Sequence, residues 1–103
     1  KSMKILAVCQ SGLGTSFMVQ MNIQAILKAE KVDTSNIQVN HTDVGSVTPD
    51  AADYFFIEST LASAVGSLPK DRVVLLKTLI DKQETKQHVN DILDKEGISY
   101  TAE

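Results

Sequence analysis

The chain has one cysteine, Cys9, no tryptophan, two prolines and only 5% aromatic residues. A lone cysteine excludes an internal disulfide and suits a reducing compartment. No apolar stretch is long enough to cross a bilayer and no leader-type segment opens the chain, so neither a membrane helix nor a signal peptide is expected. Positive charge is short as well: 10 Lys and Arg against 13 Asp and Glu give a net charge of −3, so no broad basic surface points to nucleic acid. His41 and His88 have no cysteine or second histidine near them in sequence. No metal site is therefore expected, and a surface or packing role is read for both.

What is present is an ordinary globular balance, 43% hydrophobic over 103 residues. That length supports one domain with a real core and leaves no room for separate cofactor and substrate lobes. Residues 1–3 read as an expression remnant and the start of the chain, and residues 4–103 as a single domain. Four short runs read as strands: 5–9, 37–42, 54–58 and 73–77. The first and third are almost continuously apolar, as central strands covered on both faces would be. In the second, Ile37, Val39 and His41 alternate with Gln38, Asn40 and Thr42, the pattern of an edge strand.

Residues 15–31 contain no glycine or proline and read as a helix. Met18, Met21, Ala25 and Ala29 form its expected core stripe, and Lys28 and Lys31 suit its C-terminal end. Thr48-Pro49 reads as a cap and first helical residue of a short turn through Ala52. Leu61 to Val65 reads as another short helix, for which Ser59 and Thr60 are candidate caps. Asp81 is the expected cap of a last helix, with Glu84 at its third position, Val89, Ile92 and Leu93 as its apolar stripe and Gly97 as its end. Strands alternating with helices predict an α/β fold, a small three-layer domain with a four-stranded parallel sheet and helices on both faces. With the second strand at an edge, the order is 2-1-3-4 and the switch point lies between strands 1 and 3. Ligands of such sheets bind at the carboxyl ends of the strands there, so Cys9 and Glu58-Ser59-Thr60 line one crevice.

Cys9 ends the first strand and is followed by Gln10-Ser11-Gly12-Leu13-Gly14-Thr15-Ser16, which opens the helix. Such a loop aims backbone N–H groups and the positive helix end at one point, where a thiol is favoured as thiolate and can carry a phosphoryl group. Spacing weighs against other loop chemistries. Gly14 is followed by Thr15-Ser16 with no lysine, which disfavours a nucleotide P-loop, and Phe17 stands where a dinucleotide fingerprint needs a third glycine. The chain is short for a flavodoxin-type fold and has few rings to enclose a flavin. No cofactor is expected.

The loop resembles that of low-molecular-weight tyrosine phosphatases, except that Thr15 stands where they have arginine. Without a guanidinium, and with no evident Asp-Pro acid loop, hydrolysis of a phosphocysteine should be slow, which suits a carrier. Lys4 to Cys9 with Ser11-Gly12-Leu13-Gly14-Thr15-Ser16 resembles the start of IIB components of the bacterial sugar phosphotransferase system, most closely its ascorbate-type branch. Asp43-Val44-Gly45, Ala52-Asp53 and Glu58-Ser59-Thr60 are weaker echoes. The resemblance implies a cytoplasmic phosphotransferase working transiently at the inner face of the membrane. It accepts phosphate from a histidine of a IIA protein onto Cys9 and passes it to a sugar bound by the IIC permease. It also implies that Gln10, Ser11, Gly12, Leu13, Gly14, Thr15 and Ser16 bind the phosphate. Partners must reach the sulfur, so Leu13, Phe17 and Met18, placed near it, are read as apolar contacts on a docking rim. The alternatives are a phosphatase or arsenate reductase-like enzyme and a non-enzymatic anion-binding domain. Glu58 reads as a solvated strand end rather than a general acid, since a carboxylate beside phosphocysteine would repel it.

Overall fold

The computed structural model describes residues 2–10, 14–77 and 81–101. Its elements are β1 (Met3–Cys9), α1 (Gly14–Ala29), β2 (Ile37–Asp43), β3 (Tyr54–Glu58), β4 (Val73–Leu76) and α2 (Lys82–Glu96). Two 3-10 helices, Ser59–Val65 and Lys70–Arg72, lie between β3 and β4. The four strands form one parallel sheet in the order β2-β1-β3-β4, as the alternation along strand 2 led us to expect.

The strand pattern follows from which faces are covered. In β1 every residue but Lys4 is buried, and Tyr54 to Ile57 of β3 are buried without a break. One face carries Ile5, Ala7, Val39, Tyr54 and Phe56 under α1 and α2, which contribute Val19, Ile23, Ile26, Leu27, Val89, Ile92 and Leu93. The other face carries Leu6, Val8, Phe55 and Ile57 under Ala52, Val65 and Leu68 from the connecting segments and the first 3-10 helix. The sheet is therefore the middle of three layers.

The methionine stripe of α1 is a misreading. Met18 and Met21 are 38% and 51% exposed, and Ala25 and Ala29 are exposed too; the buried side is Ser16, Val19, Ile23, Ile26 and Leu27. The helix carries two apolar stripes on nearly opposite sides. The branched aliphatic stripe is the more hydrophobic and takes the core.

α1 also ends at Ala29 rather than Lys31. Lys31, with φ of 58°, is the left-handed residue that closes it, its N–H donating to the Lys28 carbonyl while the Val32 N–H donates to Leu27. α2 closes in the same way, with Gly97 at φ 70°. Asp81 caps α2 as expected, accepting from the Gln83 and Glu84 N–H groups, whereas Glu84 reaches back to accept from Lys77 N–H at 2.9 Å. Thr48-Pro49 opens only a turn, in which the Thr48 hydroxyl donates to Asp50 and the Ala51 N–H to the Thr48 carbonyl. Ser59 and Thr60 are the first residues of their 3-10 helix, and the position before it, Glu58, makes no side-chain cap bond.

Candidate functional site

Cys9 is the last residue of β1, on the middle of the sheet, and β1 leads through the loop into α1. This places the sulfur at the carboxyl ends of the strands, below the start of a helix. The first N–H groups of α1 have no partner within the helix, and its first turn carries no acidic residue to offset their charge. Of the proposed phosphate loop, Ser11, Gly12 and Leu13 lie outside the described residues. Gln10, Gly14 and Thr15 are exposed. A Cβ built on Gly14 would meet no atom of the described residues within 4 Å.

Ser16 behaves differently from its loop neighbours. It is fully buried, and its Oγ lies 3.1 Å from Cys9 Sγ. The sulfur is also 3.7 Å from the Thr42 carbonyl at the end of β2. In the thiol form the S–H donates to Ser16 or to Thr42. In a thiolate form the Ser16 hydroxyl would turn to donate to sulfur, a charge-assisted hydrogen bond.

Two features lay beyond the sequence reading. The first is Asp43, which forms the Cys9-level pair on β2, one residue past the expected strand end; the Val44 N–H donates to the Cys9 carbonyl at 2.9 Å and holds the two strand ends together. The alternation of strand 2, extended by one residue in parallel register, would have found it. The second is a set on α1 and β2. The Gln20 side-chain N–H donates to the Val39 carbonyl at 2.9 Å, so its Oε1 must face the His41 ring and accept from Nδ1–H. His41 in turn meets Phe17 edge to face, with ring centroids 5.3 Å apart. This contact holds the half-exposed Phe17 beside Ser16. His88 lies half-buried on α2, away from this set, and among the described residues no cluster of His, Cys, Asp or Glu could hold a metal.

Residues 4–91 match the family described as the PTS system lactose/cellobiose-specific IIB subunit. An ascorbate-specific PTS EIIB component of Mycoplasma pneumoniae is 26% identical over 93 residues, covering 90% of this chain and 97% of that protein. Among solved structures, a lactose-specific IIB domain from Streptococcus pneumoniae superposes with a TM-score of 0.61 at 15% identity, covering 91% of this chain and 97% of that one. A low-molecular-weight protein tyrosine phosphatase from Bacillus subtilis gives 0.52 at 16% identity, covering 92% and 95%. At these identities the two structures share the fold, and a IIB domain and a phosphatase are built on the same one.

Proposed function

This chain belongs to the lactose/cellobiose-specific IIB family of the sugar phosphotransferase system, and on that premise we propose that it carries phosphate on Cys9 between a IIA protein and a sugar held by a IIC permease. As a IIB domain it is a phosphotransferase component and works with IIA and IIC partners. The observation that carries the residue assignment is the sulfur itself, at the end of β1 just ahead of α1, with a buried hydroxyl 3.1 Å away.

In the first step the Cys9 thiolate attacks phosphorus in line. The S–P bond forms as the N–P bond of the donor histidine breaks, and that electron pair returns to the imidazole. In the second step a sugar hydroxyl oxygen attacks, the S–P bond breaks with its electron pair returning to sulfur, and the hydroxyl proton passes to a base on the permease side. Backbone N–H groups from Ser11 to Ser16, with the side chains of Ser11 and Thr15, hold the phosphoryl oxygens, and Gln10, Gly12, Leu13 and Gly14 shape the loop around them. Phe17 and Met18, 49% and 38% exposed beside the site, supply apolar surface to the docking partner.

The arginine inventory favours transfer over hydrolysis. The single arginine of the sequence, Arg72, sits just before β4, and in a parallel sheet that is the end opposite to Cys9. No guanidinium reaches the sulfur to speed attack by water. The sugar is proposed to be of the ascorbate type, in line with the ascorbate-specific relative. No helix of the described residues is long and apolar enough to cross a membrane, and we place the domain at the inner membrane face, where it meets IIC.

Incubation with phosphoenolpyruvate, the general phosphotransfer proteins and a cognate IIA tests this by intact-mass spectrometry. One phosphoryl group is expected on the wild type and none on Cys9→Ala, alanine being preferred because a serine hydroxyl can itself accept phosphate. An adduct that persists on Cys9→Ala, or sustained turnover of an aryl phosphate by the wild type, overturns the reading.

A further inference from the structure

The register of the sheet sets Cys9 between two carboxylates. On one side Cys9 pairs with Asp43 of β2. On the other the β1–β3 register runs through Ala7–Phe56 and Val8–Ile57, so Glu58 stands at the level of Cys9. Side chains alternate along strands, and Ile5, Ala7, Val39, Tyr54 and Phe56 all face the α1–α2 layer. By the same alternation Cys9, two residues past Ala7, Asp43, four past Val39, and Glu58, two past Phe56, fall on that same face.

Neighbouring strands are about 4.8 Å apart, so the Asp43 and Glu58 positions flank Cys9 at about that spacing, on either side of any group carried by the sulfur. They are not equivalent. Glu58 accepts a hydrogen bond from the Thr60 hydroxyl at 2.5 Å, and Lys77 follows its strand partner Leu76 on β4. Asp43 is on the edge strand, no cation precedes Lys28 along α1, and the sulfur contacts its strand, lying 3.7 Å from the backbone carbonyl of Thr42. Asp43 is therefore the stronger of the two influences.

We propose that Asp43, assisted by Glu58, sets the transfer potential of the phosphocysteine. Their negative charge raises the free energy of the phosphorylated sulfur and opposes the attraction of the loop and the helix end. A cradle of N–H groups alone would hold the dianion tightly and make Cys9 a sink. With a carboxylate on each side the group is bound firmly enough to form and loosely enough to leave. This inference rests on the carrier reading and adds to it the residues that tune the carrier.

The test is the equilibrium between phosphorylated cognate IIA and this chain, read as the fraction of phosphorylated Cys9 by intact mass. The wild type is compared with Asp43→Asn, Asp43→Glu and Glu58→Gln at low and high KCl. Asp43→Asn should raise the equilibrium constant for loading roughly three- to tenfold, the scale of removing one nearby like charge. Glu58→Gln should raise it less, and Asp43→Glu should restore the wild-type value. Because the effect is electrostatic, the gap between wild type and Asp43→Asn should narrow between about 50 mM and about 500 mM salt. Equal loading of wild type and Asp43→Asn overturns the inference alone. So does a gap that salt leaves unchanged or that Asp43→Glu fails to close, since either marks a merely structural effect. A wild type that never loads overturns the carrier reading and this inference with it.

Discussion

Ser16 shows how much one hydroxyl can be asked to do. In the loop motif it reads as one phosphate ligand among several, yet the fold buries it completely and puts its Oγ 3.1 Å from the sulfur. On the proposed carrier reading its contribution is then to the thiolate, present before phosphate arrives and again after it leaves. Hydrogen bonds to charged groups contribute about 1.5–3 kcal/mol, so Ser16→Ala should slow phosphoryl transfer to and from Cys9 by roughly ten- to a hundredfold. Rapid-quench single turnovers with a phosphorylated donor would measure this, and unchanged rates in a folded variant would refute it. The place of Cys9 at the end of β1, ahead of α1, was legible because strand and helix follow each other closely in the chain. Ser16's separation from the rest of the loop was not, because burial depends on how α1 seats against the sheet. Asp43 was noted only as an echo after strand 2, and its place beside Cys9 was missed for a related reason, being a matter of register between strands more than thirty residues apart.

Among the elements, strands were easier to recognise than the seating of helices. β1 and β3 are apolar on both faces and β2 alternates, which was enough to give the sheet order. α1 carries two apolar stripes, and hydrophobic spacing alone did not say that Val19, Ile23, Ile26 and Leu27 would displace the methionines from the core. The ends of the two helices give a direct comparison. α2 closes on Gly97 and α1 closes with the same hydrogen-bond pattern on Lys31, a side-chain-bearing residue at φ 58°. A non-glycine residue in that conformation costs about 1–2 kcal/mol, offset in part by the greater freedom of glycine in the unfolded chain. Lys31→Gly should therefore stabilise the domain by about 0.5–1 kcal/mol and raise Tm by about 2–6 °C. A calorimetric scan showing a lower Tm would contradict this account of the helix end.

On the scale of the whole molecule, the two helices are bound to the sheet by polar ties as well as by the core. Tyr54 of β3 is buried, and its hydroxyl donates to Glu96 Oε2 at 2.6 Å near the end of α2, with Lys95 Nζ 5.7 Å from its ring centroid. Burial, together with the Glu96 carboxylate, pushes the Tyr54 hydroxyl up to about 12. An unfolded tyrosine ionises near pH 10, so the tie contributes fully below about pH 10 and is lost as pH rises from about 10 through about 12. Denaturant midpoints should fall over that window, and Tyr54→Phe should flatten much of the slope. The remainder belongs to Tyr100, which the Asp94 carboxylate also holds above its ordinary value. An alkaline slope identical in Tyr54→Phe would remove Tyr54 from this role. On the other side of the molecule the Gln20 amide bridges the Val39 carbonyl and the His41 ring, two partners of opposite hydrogen-bonding character that fit it in only one orientation. It acts as a key between shaft and hub: α1 can neither roll nor slide on β2 without breaking both bonds. Ser16 and the end of β2 are thereby indexed to each other before any partner docks, so that at this side of the crevice the phosphorylation proposed for Cys9 would change the charge on a fixed frame instead of reshaping it.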